Sequence, residues 1–392
     1  MPTMLAMASL YISFFFVYAI YAVINPFLQV MLRNLGYSYE MVGVLLSIFE
    51  VAGIVGPLVL SRKIDKRGNM RGALLLGTAF TSLGVVMLMF SRIHVFTVLG
   101  LVVVAFFMRS LLPILDSYVN NLFNGDAQKY TFLRSFGTVG FVFFSLAFAI
   151  ADKPNLESNI SIGIYALFAC LMFFVPVTFW KAEPMQAKRS CLLVSEPEGK
   201  WYDRAFLVGL VIIAFNRISM SSVTSFFSLY LVEELSINAI SLMNAIGAGS
   251  EYGAMIMAGI LIQRKKVLPV HLLMISSVAL VLRLLLYAFV PTFGGVLAAQ
   301  LLHSLCYGFF HPAAIFFVAR RVKRSHRTIG MSMYVSLGTG LPAVIGSSLG
   351  GVVVEQFGYR TLFMGYSLFA LFSLLLSLVF YRVMTTPALE EI

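Results

Sequence analysis

Long apolar runs separated by short polar connections limit the possible folds of this sequence more than any other feature. A helix needs about 20 apolar residues to cross a bilayer. A backbone in hydrocarbon must form its hydrogen bonds within one helix or within a closed barrel, and these runs lack the alternation of barrel strands. The sequence therefore predicts transmembrane helices at 6–32, 40–61, 71–91, 94–123, 131–151, 160–180, 204–232, 238–263, 267–290, 293–321, 328–354 and 359–383.

Charged residues make up 11% of the 392 residues, whereas a soluble domain has about 25%. The polar surface that would cover a water-soluble globule is missing, so we predict an all-α membrane protein. Three cysteines (Cys170, Cys191 and Cys306) are too few for a disulfide scaffold or a cysteine-rich metal site, and we expect neither metal nor cofactor. No charged segment precedes the first run, which argues against a cleaved signal peptide.

The basic residues lie in clusters between the apolar runs. Of the 28 Lys and Arg residues, twenty lie in the connections on one side, four on the opposite side and four within the runs. Basic residues concentrate on the cytoplasmic side of membrane proteins. The distribution predicts cytoplasmic termini in the plasma (inner) membrane. No basic stripe with interleaved aromatic residues indicates nucleic-acid binding, despite a net charge of +11.

The two halves of the chain resemble each other at an offset of about 200 residues. Glu50 matches Glu251 in the second half. Pro113 likewise matches Pro312. Parallel six-helix repeats are typical of transporters. We predict two pseudo-symmetric halves, with an N-terminal bundle at 1–180, a cytoplasmic linker at 181–203 and a C-terminal bundle at 204–392.

Two cytoplasmic motifs resemble the major facilitator superfamily. The segment SRKIDKRGNMR at 61–71 is similar to the superfamily loop G-x-x-x-D-[RK]-x-G-[RK]-[RK], with Ser61 in place of the first glycine. Pro113 and Asp116, followed by Arg134, resemble the P-x-x-[ED] and R-x-x-G-x-x-G-[WF] motifs of the lactose permease group. The resemblance implies twelve helices in two halves and transport by alternating access.

The tenth predicted helix favours one branch of that group and departs from another. Its sequence LHSLCYGFFHP at 302–312 resembles the phenylpropionate permeases, which belong to the same proton symporters. Lactose permease has a His and a Glu one turn apart there, whereas this chain has Tyr307 and Phe310. The usual proton-coupling carboxylate is thus absent from this helix. The fifth helix lacks the glycine pattern of drug/proton antiporters, which favours symport.

Seven charged residues lie three or more residues inside the ends of the predicted helices, where a charge at the helix centre costs about 2.5–3.5 kcal/mol unless it is paired or faces water. They are Glu50, Arg109, Asp116, Arg134, Arg217, Glu251 and Arg283. The resemblance implies that Asp116 and Arg134 contact substrate, and an arginine fork can bind carboxylates or hydroxyls in a bidentate manner. The alternative for this pair is a structural salt bridge between two helices.

Further substrate-binding candidates lie on three predicted helices. Arg109 precedes Asp116 by seven residues and so shares its helix face. Its alternative role is to pair with a carboxylate on a neighbouring helix. Tyr18 and Asn25 belong to the first helix. A midplane cavity lined by the first and seventh helices would include Tyr18, Tyr21, Asn25, Asn216 and Ser225.

Proton-coupling candidates are concentrated in the second half. Glu50 and Glu251 lie mid-helix at equivalent places, where a desolvated carboxyl can exchange a proton, and we favour Glu251. A gate salt bridge is the alternative. Arg283 resembles the lactose permease arginine that facilitates deprotonation. His303 and His311 lie eight residues apart on about one face and can relay a proton, bind substrate or only bond a neighbouring helix.

Asp65, Arg67 and Gly68 belong to the loop motif after the second predicted helix. The resemblance implies a conformational latch at this loop, in which Asp65 caps a helix or pairs with an arginine.

These observations predict a secondary active transporter that takes up a small polar organic solute, such as a sugar, nucleoside or aromatic acid, by proton symport. The alternatives are a proton-coupled exporter of amphipathic compounds and a non-transporting receptor. No nucleophile–base motif or nucleotide loop indicates an enzyme. We expect a functional monomer whose partners are the solute and the lipid bilayer, with the proton as coupling ion.

Overall fold

A computed structural model describes residues 4–67, 69–91, 93–123, 127–180, 201–264, 266–323 and 326–387. Within these ranges the regular elements are helices, apart from one isolated antiparallel bridge between Tyr202 and Val322. Most of the predicted linker, residues 181–200, and Gly68 of the predicted latch lie outside the described residues.

Six long helices form the N-terminal part of the chain. They are α1 (Met4–Asn34), α2 (Tyr39–Arg67), α3 (Met70–Phe90), α4 (His94–Leu122), α5 (Ala127–Ala151) and α6 (Asn159–Thr178). The apolar span Tyr39–Ser61 agrees with the membrane segment predicted at 40–61, and α2 itself continues beyond it to Arg67. Asp65 and Arg67 are therefore placed on the last turns of a helix, not in a loop, and their side chains lie outside the described part of the structure.

The C-terminal part contains more interruptions. Its α-helices are α7 (Arg204–Leu229), α8 (Ile240–Gln263), α9 (Pro269–Phe289), α10 (Phe293–Leu301), α11 (Phe310–Arg320), α12 (Arg327–Met333), α13 (Leu341–Val379) and α14 (Tyr381–Met384). Three π-helical segments extend or join them, namely π1 (Tyr230–Glu234), π2 (Ser304–Phe309) and π3 (Tyr334–Gly340).

Two π-helical segments lie just before a proline. Pro312 and Pro342 have no N–H, so the carbonyls of Gly308 and Gly338, four residues earlier, lose their helical donors. The wider helix in π2 also directs the Cys306 carbonyl to α9, where the Ser276 hydroxyl donates to it at 2.6 Å. Such single-turn widenings are frequent at functional sites.

Eleven helical runs among the described residues are long and apolar enough to cross a membrane. The last run, Ile329–Val379, has 51 residues and would measure about 76 Å as one straight helix, more than twice the bilayer core of about 30 Å. Gly358 breaks the run with φ 76° and ψ 176°, a conformation that costs glycine little. The break lies between the predicted helices at 328–354 and 359–383.

Large apolar side chains form much of the exterior. Ile150 is 86% exposed, Val379 74% and Phe179 65%. Contiguous exposure of this kind is rare in soluble monomers and suits a lipid environment. The predicted all-helical membrane architecture is therefore confirmed.

The described residues cluster into two compact units. The first takes its residues from Met1–Ser38 and Ile48–Leu192, and the second from Tyr39–Ser47 and Leu193–Ile392. The first nine residues of α2 thus belong to the second unit, although the predicted N-terminal bundle included them.

Arg321 joins three segments of the second unit at the end of α11. Its buried guanidinium donates to the Asp203 carboxylate at 3.1 Å, to Thr386 Oγ1 at 3.1 Å and to the Met384 carbonyl. Asp203 also caps α7 by accepting from the Phe206 N–H at 2.7 Å. In the sequence, Arg321 contributes only to the charge asymmetry, whereas in the structure it holds the C-terminal segment.

Candidate functional site

In the first unit, Glu50 of α2 is paired with Arg109 of α4. Arg109 Nη2 lies 2.7 Å from Glu50 Oε1, and the guanidinium also lies 5.3 Å from the centroid of the Phe49 ring. An arginine keeps its proton at any physiological pH, so this pair gives Glu50 a permanent cation. The contact corresponds to the ion-pair alternative considered for Arg109.

Glycines bring α2 close to α4 beside this pair. A Cβ at Gly56 would overlap the backbone of Phe106, and a Cβ at Gly53 would lie 3.0 Å from Arg109 Cγ. Because only glycine fits this approach without displacement, the two helices can present Glu50 and Arg109 to each other at bonding distance.

Asp116 of α4 and Arg134 of α5 are also brought together. Arg134 Nη1 lies 3.1 Å from Asp116 Oδ2 and donates to the Tyr130 hydroxyl at 2.7 Å. One guanidinium nitrogen makes both bonds, so the pair does not show the bidentate geometry of which an arginine is capable. Asp116 Oδ1 is buried and has no hydrogen-bond partner among the described residues. The pair therefore retains an acceptor that a solute hydroxyl or amine would satisfy.

Tyr130 keeps its proton beside this pair. Burial raises the pKa of Tyr130 to about 12, an effect that the Arg134 charge opposes. At neutral pH the phenol is thus available both as an acceptor for Arg134 and as a donor to the Asp116 carboxylate.

The two candidates on α1 differ in position. The Tyr18 ring fills the space that a Cβ at Gly137 of α5 would need, and its hydroxyl is within electrostatic range of Arg134. Tyr18 therefore lies beside the Asp116–Arg134 pair. Asn25 is exposed and makes no side-chain hydrogen bond to the described residues, so the structure does not bring it into this group.

In the second unit, three of the proton-coupling candidates form one chain of contacts. His303 Nε2 lies 3.3 Å from Glu251 Oε2, and His303 Nδ1 lies 2.8 Å from Arg283 Nη1. Glu251 belongs to α8, Arg283 to α9, and His303 follows α10. Residues that are 32 and 20 positions apart along the chain thus meet in a single network.

The direction of these hydrogen bonds fixes the tautomer of His303. A guanidinium can only donate, so His303 Nδ1 must accept and carries no proton. The single ring proton is then on Nε2, which faces Glu251. A second proton on His303 would place two N–H groups against each other at the Arg283 contact. The arginine therefore holds His303 neutral in this conformation.

Two further residues of this network were missed in the sequence analysis. Arg283, which is 2% exposed, donates through Nη2 to Gln300 Oε1 at 3.0 Å and through Nε to the Tyr287 hydroxyl at 3.2 Å. Gln300 precedes His303 by one helical turn, and Tyr287 follows Arg283 by one turn. That spacing is a usable signal, since polar residues three or four apart share a helix face.

Gly247 of α8 leaves room for two side chains of this network. A Cβ at Gly247 would lie 3.0 Å from Gln300 Oε1 and 3.3 Å from His303 Cδ2. The gap left at Gly247 lets both side chains reach across from the tenth helical run.

Arg217 of α7 lies beside this network among aromatic rings. Its Cζ is 5.6 Å from the centroid of the Tyr307 ring and 5.8 Å from that of Phe310. Tyr307 is stacked between His303 and His311, at centroid distances of 5.7 and 5.6 Å. His311 therefore lies on the same helix face as His303, as its spacing predicts, but at the far end of this stack from Glu251.

The polar residues predicted on α7 serve helix packing. Asn216, 3% exposed, donates to the Ser277 hydroxyl at 3.1 Å. Ser225 is likewise buried and shares a 2.7 Å hydrogen bond with Ser347. Each side chain bonds a neighbouring helix, and their place in a midplane cavity stays a prediction.

Comparison with known proteins places the chain among transporters. A sequence model of the family described as "MFS_1 like family" matches residues 7–365. The uncharacterized transporter YwbF of Bacillus subtilis strain 168 is 24% identical over 341 residues, which cover 86% of this chain and 83% of YwbF.

Solved transporter structures share the fold over nearly the whole chain. The nucleoside transporter NupG has a TM-score of 0.78 at 18% identity, covering 97% of this chain and 99% of its own. A bacterial homolog of the human lysosomal transporter Spinster has a TM-score of 0.73 at 14% identity, covering 98% of this chain and 98% of its own. A POT family transporter in complex with 5-aminolevulinic acid has a TM-score of 0.78 at 12% identity, covering 97% of this chain and 96% of its own. At these identities the likeness establishes the fold alone.

Proposed function

The chain belongs to the MFS_1-like family, and on this premise we propose that it is a proton-coupled symporter for a small polar organic solute. The family and the matched proteins are transporters, which confirms the predictions of a multi-pass transport protein and of a protein that is not an enzyme. The coupling ion, the direction and the solute belong to the proposal.

The observation that carries the proposal is the Glu251–His303–Arg283 network. Glu251 as an ion accepts a charge-assisted hydrogen bond from His303, and such bonds are about twice as strong as neutral ones. A proton on Glu251 removes that charge and weakens the tie between α8 and the tenth helical run. Protonation thus alters the contacts between two helices, which is what a coupling site requires.

The Asp116–Arg134 pair is the proposed solute contact in the first unit. The unsatisfied Asp116 Oδ1 and the half-exposed Arg134 offer an acceptor and donors together. Tyr18 supplies an aromatic side chain beside them. In this proposal Glu50 and Arg109 form a fixed structural pair, and neither exchanges a proton during transport.

We also infer twelve crossings in two six-helix halves, with Ile329–Val379 contributing two of them around Gly358. Both termini and the linker would then be cytoplasmic, as the charge asymmetry predicts. Cys191 tests this, because the other two cysteines are buried. A membrane-impermeant thiol reagent should label the protein in inside-out vesicles and not in intact cells, and Cys191→Ser should abolish the labelling. Labelling of intact cells would contradict this orientation.

The function is tested with the purified full chain in proteoliposomes. A panel of labelled sugars, nucleosides and small organic acids is offered with and without an imposed inward proton gradient. Nucleosides are included because the chain is similar in fold to NupG. We expect one class to accumulate only with the gradient, and an uncoupler to abolish its accumulation. Efflux driven by an inward proton gradient would identify the exporter alternative, and no movement of any solute would refute transport.

A further inference from the structure

Arg217 is the cation that remains when the intramembrane charges are matched. Four arginines and three acids lie three or more residues inside the ends of the predicted helices. Arg109 is paired with Glu50, Arg134 with Asp116, and Arg283 reaches Glu251 through His303. Among the described residues, Arg217 makes no ion pair and no hydrogen bond, and its Nε is buried without a partner.

The surroundings of Arg217 do not compensate its charge. The Tyr307 and Phe310 rings offer their faces, at 5.6 and 5.8 Å from Cζ, which attracts a guanidinium without neutralising it. His303 is neutral in the tautomer that Arg283 imposes. Hydration alone would leave the buried Nε–H unpaired. The Arg217 charge therefore has no anionic partner among the described residues, and an anion bound from outside the protein would neutralise it.

We propose that the transported solute is a small organic monoanion whose carboxylate binds Arg217. This deepens the proposed function and rests on it. A carboxylate matches the arginine fork with two parallel N–H···O bonds, and the aromatic faces beside Arg217 suit an apolar or planar portion of the same molecule. A phosphate ester fits less well, because its charge of about −1.5 to −2 at neutral pH exceeds the single unmatched cation.

The intramembrane charges of the second unit also predict how many protons accompany each solute. Among the intramembrane charges counted above, the second unit with ionised Glu251 has two arginines, Arg217 and Arg283, and one carboxylate. Loading one carboxylate and one proton leaves the same net charge, because the solute contributes one negative charge and the proton cancels that of Glu251. The loaded and empty forms thus reorient with equal charge, so transport should be electroneutral with one proton per solute.

Binding to the purified full chain tests the assignment with matched solutes. The probes are carboxylate and amide pairs of similar shape, namely nicotinate with nicotinamide, benzoate with benzamide and lactate with lactamide. A ligand that binds the native state raises the thermal unfolding midpoint. We expect at least one carboxylate to do so while its amide does not. Arg217→Gln should weaken that carboxylate by about tenfold or more, since a charged hydrogen bond is lost.

A matched control separates charge from local packing. Arg360 is an exposed arginine that also lies over an aromatic ring, with Cζ 5.2 Å from the Phe289 centroid. Arg360→Gln should leave carboxylate binding unchanged. Arg217→Lys keeps the charge but loses the fork, so it should bind more weakly than the native chain and more tightly than Arg217→Gln. If Arg217→Gln does not fold, the Lys variant and the carboxylate–amide preference of the native chain still decide.

The failures of this inference and of the proposed function are distinguishable. Proton-driven accumulation of neutral solutes alone, with Arg217→Gln fully active, would overturn the anion assignment and leave the symport proposal standing. A stronger response to phosphate monoesters than to carboxylates would also overturn it. If no solute of either class moved in proteoliposomes, the transport proposal itself would fail, and the inference with it.

Discussion

Glu50 and Glu251 match in sequence at an offset of about 200 residues, and their partners in the structure differ. Glu50 meets Arg109 at 2.7 Å, whereas Glu251 meets His303 at 3.3 Å, with Arg283 behind the histidine. An arginine is always charged, whereas Arg283 holds His303 in a neutral tautomer. The first unit therefore holds its carboxylate with a fixed cation, and the second holds its carboxylate with a neutral N–H donor.

In the proposed function, this difference separates a structural contact from a coupling contact. Removing one partner of a buried ion pair is strongly destabilising. Such a pair suits a contact that holds two helices together throughout the transport cycle. A His–Glu contact is weaker and responds to a proton, which suits a contact that must change. The predictions below test whether the two carboxylates differ in this way.

The largest expected difference concerns proton-driven accumulation. Glu251→Gln mimics the protonated carboxyl permanently, so it should lose uphill accumulation entirely and retain solute exchange. Glu50→Gln should retain proton-driven accumulation, because the proposed function assigns the proton to Glu251 and a structural ion pair to Glu50. Both variants are measured in proteoliposomes by accumulation with a proton gradient and by counterflow without one.

The paired design makes this comparison decisive. Uphill accumulation by Glu251→Gln would exclude Glu251 as the proton site, and Asp116, His303 and His311 would follow as candidates. Loss of accumulation in Glu50→Gln, with exchange intact, would assign the proton to the first unit and reverse the comparison.

The free energy of unfolding should depend more on the Glu50 pair than on the Glu251 contact, which is the reverse of the effect on accumulation. Arg109→Gln leaves Glu50 as an unpaired intramembrane charge and should destabilise the protein by about 2–3 kcal/mol, less than the 3–5 of a fully buried pair because both side chains are partly exposed. His303→Gln leaves Arg283 with Gln300 and Tyr287 and should cost about 1 kcal/mol, near the value of one ordinary hydrogen bond.

Chemical or thermal unfolding in detergent measures both variants. The double variant Glu50→Gln with Arg109→Gln removes both charges and should recover much of the loss. If Arg109→Gln is no less stable than His303→Gln, the Glu50 pair is not the structural contact described above.

The Asp116–Arg134 pair should respond to geometry and not only to charge. Arg134→Lys keeps the charge but has a point-like ammonium in place of the planar fork. Solute binding should weaken by about tenfold, equivalent to about 1.4 kcal/mol. The exposed Arg360→Lys serves as the control and should bind normally. Native affinity in Arg134→Lys would reduce the pair to a salt bridge between α4 and α5.

Much of this arrangement follows from the sequence because a bilayer restricts the possibilities. Apolar length predicts the helices, and charges inside them are expensive enough to be rare and informative. Glu251, Arg283 and His303 were all candidates before their contacts were known. Their meeting could not be predicted, because the contacts join three different helical runs and depend on how these pack.

Other features left no clear signal in the sequence. The π-helical segment at Ser304–Phe309 depends on a missing N–H at Pro312, which also fits an ordinary kink. Arg321 looked like one of many cytoplasmic charges, yet it is 5% exposed and binds the C-terminal segment. Burial of a single side chain is a property of the packed structure, and neither charge pattern nor periodicity reveals it.

The smallest effects are expected from alanine substitutions at the glycines beside the two carboxylates. Gly247→Ala would place a Cβ 3.0 Å from Gln300 Oε1, and Gly53→Ala would place one 3.0 Å from Arg109 Cγ. Each alanine gains about 1 kcal/mol of helix propensity, and each must displace a side chain of its network. Gly249→Ala, whose Cβ would meet nothing within 4 Å, measures the propensity gain alone.

Relative to Gly249→Ala, both variants should lose about 1 kcal/mol or less of stability, because a few tenths of an ångström of movement suffice. Their transport should differ more than their stability. Displacing Gln300 disturbs the Arg283 and His303 contacts, so Gly247→Ala should shift the pH dependence of uptake. Gly53→Ala moves an arginine whose charge is permanent and should leave that pH dependence unchanged. Equal pH profiles for the two variants would mean that the His303 network does not set the proton response, and that the two carboxylates do not differ in function.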